Sequence, residues 1–337
     1  MRLKPVAIEP EGVVSRTLSF GDNGRCAVLF GRHQEHLALL EQHLPVSLAA
    51  RGNLVTISGE VEAVDTAAAV LEELYRRLQG GLDLSRNEVE ATVRMMVRGP
   101  GDVAALSNDD VAIRTERRRV SPRSPTQAAY LRAMRDHDLV FGIGPAGTGK
   151  TYLAVATGVA LLRQRVVDRL ILSRPAVEAG ERLGFLPGDM KDKVDPYLRP
   201  LYDALQDMLP DGKLGAKLES GQIEIAPLAF MRGRTLANAF VILDEAQNTT
   251  PAQMKMFLTR LGENSRMVVT GDPSQDDLPP GTHSGLVDAV RRLDQTPEVA
   301  VIRFSERDIV RHPLVETILK AYGGNAPPQP QPDVDQG

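Results

Sequence analysis

The run Gly144-Pro145-Ala146-Gly147-Thr148-Gly149-Lys150-Thr151 constrains this chain more than any other stretch. It has the spacing Gly-x-x-x-x-Gly-Lys-Ser/Thr. The apolar run 139–142 precedes it, and a helix is expected to start near Lys150. A strand, a glycine-rich turn and a helix in that order wrap phosphate groups. The glycines let backbone N–H groups point inward. The helix N-terminus adds the positive end of its dipole. Lys150 is placed to reach the β- and γ-phosphates, and the Thr151 hydroxyl to ligate Mg²⁺.

Two further strand ends carry polar groups. Residues 240–243 are apolar and lead into Asp244-Glu245-Ala246-Gln247. Open α/β sheets place ligands at the C-terminal ends of their strands. There Asp244 would hold Mg²⁺ through water, and Glu245 would act as general base on an attacking water. A base directly after the metal-binding Asp favours hydrolysis over transfer to a second substrate. Residues 267–270 then lead into Gly271-Asp272-Pro273-Ser274-Gln275. Gln275 is the candidate that senses the γ-phosphate or orients the water. Asp272 either approaches the metal or holds the turn. Arginine is the remaining need, because a charge-spread transition state calls for a guanidinium. Candidates are Arg174, Arg232, Arg234, Arg260 and Arg311. Arg232 and Arg234 stand out because Gly233 between them allows close approach.

Around this centre, residues 125–322 alternate strand-like runs (139–142, 169–173, 223–226, 240–243, 267–270) with helical segments. That pattern predicts an α/β P-loop NTPase with a mostly parallel sheet covered on both faces. Residues 1–80 form a smaller α+β unit. Its expected strands are 17–20, 27–30, 46–49 and 54–57, and its expected helices 34–44 and 60–78. Residues 87–97 suit a helix before Gly99-Pro100-Gly101. Residues 81–124 read as a linker whose basic stretch (Arg114, Arg117, Arg118, Arg119, Arg123) is either solvated or a phosphodiester-binding patch. Residues 323–337, rich in Pro, Gln, Gly and Asp, read as a disordered tail.

The 337 residues carry 40 Lys+Arg against 44 Asp+Glu, a net charge of −4, so nucleic-acid contact has to come from a local patch. The single cysteine, Cys26, cannot form an internal disulfide and reads as a small buried hydrophobe in a strand. His33, His36 and His43 lack acidic or thiol partners at metal spacing and read as surface residues. No run reaches the roughly 20 apolar residues of a spanning helix. With no secretory leader apparent, the chain is read as cytoplasmic and without a membrane partner.

Taken together, the motifs resemble the PhoH family. They include residues 144–151, Arg174-Pro175, Leu183-Gly184-Phe185-Leu186-Pro187-Gly188-Asp189 and Phe230-Met231-Arg232-Gly233-Arg234-Thr235. They continue through Leu243-Asp244-Glu245-Ala246-Gln247-Asn248, Leu258-Thr259-Arg260, Gly271-Asp272 with Gln275, and Asp308 with Arg311-His312-Pro313. The resemblance implies a RecA-like ATPase core of the superfamily 1 helicase kind. It also implies a role in RNA metabolism beside a YbeY-type endoribonuclease, and a hexameric ring. In such cores a glutamine upstream of the phosphate loop reads adenine, and Gln127 stands in that place, favouring ATP. The N-terminal unit resembles a KH-like domain. Its Gly31-Arg32-His33-Gln34 lacks the second glycine of the KH clamp, so docking or oligomerisation stands beside RNA binding as its role. A slow or non-catalytic ATP-gated scaffold that recruits a ribonuclease is the alternative to an RNA-linked ATPase.

Overall fold

A computed structural model describes residues 7–8, 13–81, 84–98, 112–175 and 190–309. The helix-compatible run at 87–97 appears as a helix over Arg86–Arg98. The tail 323–337, Arg311 and the segment 183–189 lie outside the described residues.

The N-terminal unit runs β1 (Ala7–Ile8), β2 (Val13–Ser19), α1 (Asn23–Phe30), α2 (Glu35–His43), β3 (Val46–Arg51), β4 (Leu54–Glu60) and α3 (Val61–Gln79). Its sheet has the order β1-β2-β4-β3 with antiparallel pairing throughout. The run 27–30, expected as a strand, is helical. Asp22 is the cause: its Oδ1 accepts from the backbone N–H groups of Gly24 (2.8 Å) and Arg25 (3.2 Å). Residues 21–24 are therefore a helix N-cap rather than a hairpin turn. The burial pattern agrees with a helical period, since Cys26, Leu29 and Phe30 are buried while Val28 is exposed. Cys26 is thus core, as expected, but on a helix. Burial and the Asp22 carboxylate both push its thiol pKa up. The turn at residues 31–34 consequently joins two helices, not a strand to a helix.

The helix Arg86–Arg98, here α4, sends Val89, Val93 and Met96 into the same core as Leu71 and Leu74 of α3. Each such fully buried apolar side chain contributes about 2 kcal/mol of transfer free energy. Residues 86–98 therefore pack as part of this unit rather than as linker. His36 is a further correction: it is buried, with Nδ1 within 3.1 Å of the Leu29 carbonyl, while His33 and His43 are exposed.

Of the rest of the expected linker, the described residues 112–124 belong to the other unit. A short antiparallel pair, β5 (Ile113–Arg114) and β6 (Arg119–Val120), opens it. Val120 joins the large core. Three of the five arginines here are engaged by neighbouring groups, although Arg114, Arg117 and Arg118 remain exposed. Arg117 pairs with Asp211 at 3.0 Å, Arg118 with Asp207 at 2.5 Å, and Arg119 donates to the Gly80 carbonyl at 2.6 Å.

The remaining elements are α5 (Pro125–Asp136), β7 (Leu139–Ile143), α6 (Lys150–Arg163), β8 (Arg169–Arg174), α7 (Met190–Met208), α8 (Lys213–Glu219) and β9 (Ile223–Pro227). β10 (Ala239–Leu243), α9 (Pro251–Leu258), β11 (Arg266–Gly271), α10 (Gly285–Leu293) and β12 (Val299–Arg303) complete them. The six long strands form one parallel sheet in the order β12-β7-β11-β10-β8-β9. Strand β12 was not anticipated. It is a half-buried edge strand, so Val299-Ala300-Val301-Ile302 lacks the fully apolar environment of a central strand.

Both faces of the sheet are covered. In β10, Phe240 and Ile242 enter the core beneath α6, while Val241 and Leu243 enter the opposite core with α9 and α10. That alternation is the pleat of a doubly covered strand. Helix α6 lies close against the sheet because residue 158 is glycine. A Cβ there would meet Leu170 Cδ1 at 2.5 Å. The topology places β11 between β7 and β10, so the C-terminal ends of these three strands converge on one side.

Candidate active site

The phosphate loop leaves β7 at Ile143 and enters α6 at Lys150. Positive φ angles at Gly144 (140°), Gly147 (81°) and Gly149 (84°) turn its backbone. At Gly144 a side chain is also excluded by packing, since a Cβ would meet the Phe304 carbonyl oxygen at 2.4 Å. The loop is fixed from both sides. Gly144 N–H donates to the Gly271 carbonyl at 3.1 Å, and Gln127 Nε2 donates to the Thr148 carbonyl at 2.9 Å.

Lys150 is 8 % exposed, and its Nζ donates to the carbonyls of Gly144 (2.6 Å) and Pro145 (2.8 Å). Burial pulls its pKa below the usual lysine range, while the carboxylates of Asp272, Glu245 and Asp244 act the other way. The next residue, Thr151, donates its hydroxyl to Asp244 Oδ1 at 2.6 Å. Thr270, at the end of β11, donates to the same oxygen at 2.8 Å. Asp244 is 4 % exposed and is thus aimed from the end of β10 by two hydroxyls.

Glu245 follows with φ 52°, a left-handed conformation that is uncommon for a non-glycine residue. The turn it makes lifts its side chain, 37 % exposed, over the cleft. Glu245 Oε1 lies 3.4 Å from Arg174 Nη2, and Oε2 accepts from Gln247 Nε2 at 2.6 Å. Across the cleft, Asp272 holds the β11 turn. Its Oδ1 accepts from Ser274 N–H (3.0 Å) and Oγ (2.6 Å), and its Oδ2 accepts from Gln275 Nε2 (2.8 Å).

These groups line one open cleft of ≈ 240 Å³, bounded by Ala146, Gly147, Gly149, Lys150, Thr151, Tyr152, Asp244, Glu245, Gly271, Asp272 and Gln275. Residues predicted from three separate stretches therefore meet in one place. The loop amides and Lys150 suit an anionic phosphate chain. Thr151 and Asp244 are hard oxygen donors, the kind that Mg²⁺ takes alongside phosphate oxygens and water. Among the described residues no group of three or more His, Cys, Asp or Glu forms a self-sufficient metal cage. A metal here would share its shell with a bound phosphate.

Several predicted residues lie elsewhere. Arg234 forms a bidentate pair with Glu224 (2.6 and 2.7 Å) at the β9 edge. Arg260 donates to the carbonyls of Met256 and Arg234, both at 3.0 Å, securing the end of α9. Arg232 is exposed and does not line the cleft. Arg174 alone of the described candidates touches a site residue. Gln127 is 4 % exposed and holds the loop, its Oε1 accepting from Arg123 N–H at 2.6 Å. Thr270, Tyr152 and Gln247 went unrecognised in the sequence. Thr270 is a polar residue at the end of an apolar strand, and Gln247 lies two positions past Glu245. Those are the signals that would have found them.

The PhoH-like protein family matches residues 119–323. The PhoH-like protein of Bacillus subtilis (strain 168) is 48% identical over 295 residues, which is 87% of this chain and 92% of that one. Protein PhoH of Escherichia coli (strain K12) is 48% identical over 269 residues, covering 78% of this chain and 73% of the relative. Among solved structures, the Sulfolobus solfataricus SWI2/SNF2 ATPase core in complex with dsDNA aligns at 14% identity. It covers 54% of this chain and 44% of that chain, with a TM-score of 0.32.

Proposed function

The chain belongs to the PhoH family, and from that premise we propose that it is a Mg²⁺-dependent ATPase whose turnover serves RNA metabolism. One observation carries the hydrolytic reading: the Glu245 carboxylate stands over the same cleft as Lys150, Thr151 and Asp244. The loop amides of residues 144–149 and Lys150 bind the phosphates. Thr151 and Asp244 hold Mg²⁺, which neutralises charge on the phosphate oxygens when bound. Glu245 takes the proton from the attacking water. Gln275 faces the terminal phosphate from the β11 turn. Gln127 retains one N–H and one lone pair beyond the bonds described above. That donor–acceptor pair matches the N7 and N6 edge of adenine.

The order β2-α1-α2-β3-β4-α3, with residues 31–34 between two helices, supports a KH-like unit and hence an RNA partner. The family resemblance supports a YbeY-type endoribonuclease partner. The family resemblance also supports a hexameric ring, in which a neighbouring subunit would supply an arginine to the terminal phosphate. The exposed Arg232, beside the exposed Phe230, is the candidate. Among the described residues no helix is long and apolar enough to cross a membrane. We place the protein in the cytoplasm.

The pairing of Glu245 with Arg174 favours a second reading, an ATP-gated scaffold that recruits a ribonuclease and hydrolyses slowly. Steady-state ATP turnover with and without single-stranded RNA separates the two. The motor or remodelling reading predicts strong stimulation, and unchanged turnover favours the scaffold. Light scattering on the same samples with ATP tests the ring: a monomer throughout rules out an arginine supplied in trans.

A further inference from the structure

Gln247 is 2 % exposed, yet its side-chain amide is used from both ends. Nε2 donates to Glu245 Oε2 at 2.6 Å and to the Gln275 carbonyl at 3.2 Å. Oε1 accepts from the Asp272 N–H at 3.0 Å. One buried amide thus joins the proposed base on the β10 side to the β11 turn that presents Gln275.

The surroundings are built to hold it there. Gln247 sits in a single 3-10 turn, Ala246–Asn248, immediately after the left-handed Glu245. Its carbonyl accepts from Ser284 Oγ at 2.9 Å. Thr249 O, just past the turn, accepts from Gly285 N–H at 2.6 Å at the start of α10. Opposite it, residue 271 is glycine, and a Cβ there would meet Gln247 Oε1 at 2.7 Å. A side chain at position 271 would force the amide out of place. A buried amide with all these partners satisfied is rigid, because breaking any bond leaves a desolvated polar group.

We propose that Gln247 is a positioning residue. It fixes the Glu245 carboxylate against the Asp272–Gln275 turn, so that a displacement of the turn by the terminal phosphate moves the base with it. This rests on the ATPase reading above. Gln247 is absent from the residues lining the cleft, so it acts through Glu245 rather than on the nucleotide.

The test is Gln247→Leu, which keeps the bulk and removes both amide functions, beside Gln247→Glu, which keeps an acceptor for Asp272 N–H but loses the donor to Glu245. Single-turnover hydrolysis and the Kd for ATP are measured for each and for the wild type. A base misplaced by about 1 Å costs about 100-fold in rate, so both variants should hydrolyse about 100-fold more slowly with an unchanged Kd. In a Glu245→Gln background, Gln247→Leu should cost nothing further. Wild-type rates in Gln247→Leu, or a full additional loss in the Glu245→Gln background, would overturn the inference. If Gln247→Leu lowered binding and rate together, Gln247 would be structural and the inference would also fall. A wild type that turns over no ATP would instead sink the ATPase reading itself.

Discussion

At the scale of single residues, the site rests on charges that face one another across a few ångströms. Lys150 ties the carbonyls of Gly144 and Pro145, and in the proposed ATPase its ammonium would also meet phosphate. Lys150→Ala removes a charged donor from a buried position. A hydrogen bond to a charged group is worth about 1.5–3 kcal/mol, so ATP binding should weaken roughly 10- to 100-fold. Titration with a fluorescent ATP analogue checks this, and unaltered affinity would remove Lys150 from the site. The identities of Lys150, Thr151, Asp244 and Glu245 were legible in the sequence because each follows a backbone signal, a glycine-rich turn or the end of an apolar strand. Gln127 was legible only through the family resemblance, as a glutamine placed to read adenine. Its use as a brace depends on Thr148, 21 residues away, and no local pattern encodes that distance.

At the scale of elements, the central strands were readable because their apolar runs are long and bounded by turns. The errors arose where a local polar cluster has two meanings. Residues 21–24 suit both a hairpin turn and a helix cap, and Asp22 decides for the cap. Arg234 shows the same ambiguity for charge. The flanking Gly233 suggested reach toward phosphate, but Glu224 lies within 2.6 Å.

That pair has a pH signature. The hydrogen bond from Arg234 first, and then its charge, hold the Glu224 carboxyl below its ordinary value of 4.5. A carboxylate with a depressed folded-state pKa adds stability that is fully present above the unfolded value and is lost as pH falls through the lowered one. The partly exposed pair is worth about 1 kcal/mol. Arg234→Ala should therefore lower thermal stability at pH 7 and lose most of that deficit once Glu224 protonates below pH 4.5. Calorimetric melting across that range measures it. A deficit constant with pH would assign Arg234 to packing instead. ATP binding should be unaffected, because Arg234 lies outside the cleft.

At the scale of the whole molecule, the strand order is what assembles the proposed hydrolytic site from separate motifs. Setting β11 between β7 and β10 brings the phosphate loop, the Asp244–Glu245 pair and the Asp272–Gln275 turn to one edge of the sheet. The sequence names the three motifs but not their spatial order, since parallel strands are joined by long crossovers and the pairing is non-local. The stretch between the two units is a second case. Composition marks it as basic, whereas the fold divides it, with α4 in one core and Val120 in the other.

The central claim is that this one cleft binds ATP and that Glu245 cleaves it. Glu245→Gln keeps the shape of the side chain and removes the base. Equilibrium ATP binding and phosphate release measured together on that variant should show an unchanged Kd and hydrolysis slowed by about 100-fold or more. Hydrolysis at the wild-type rate with ATP bound would contradict the account.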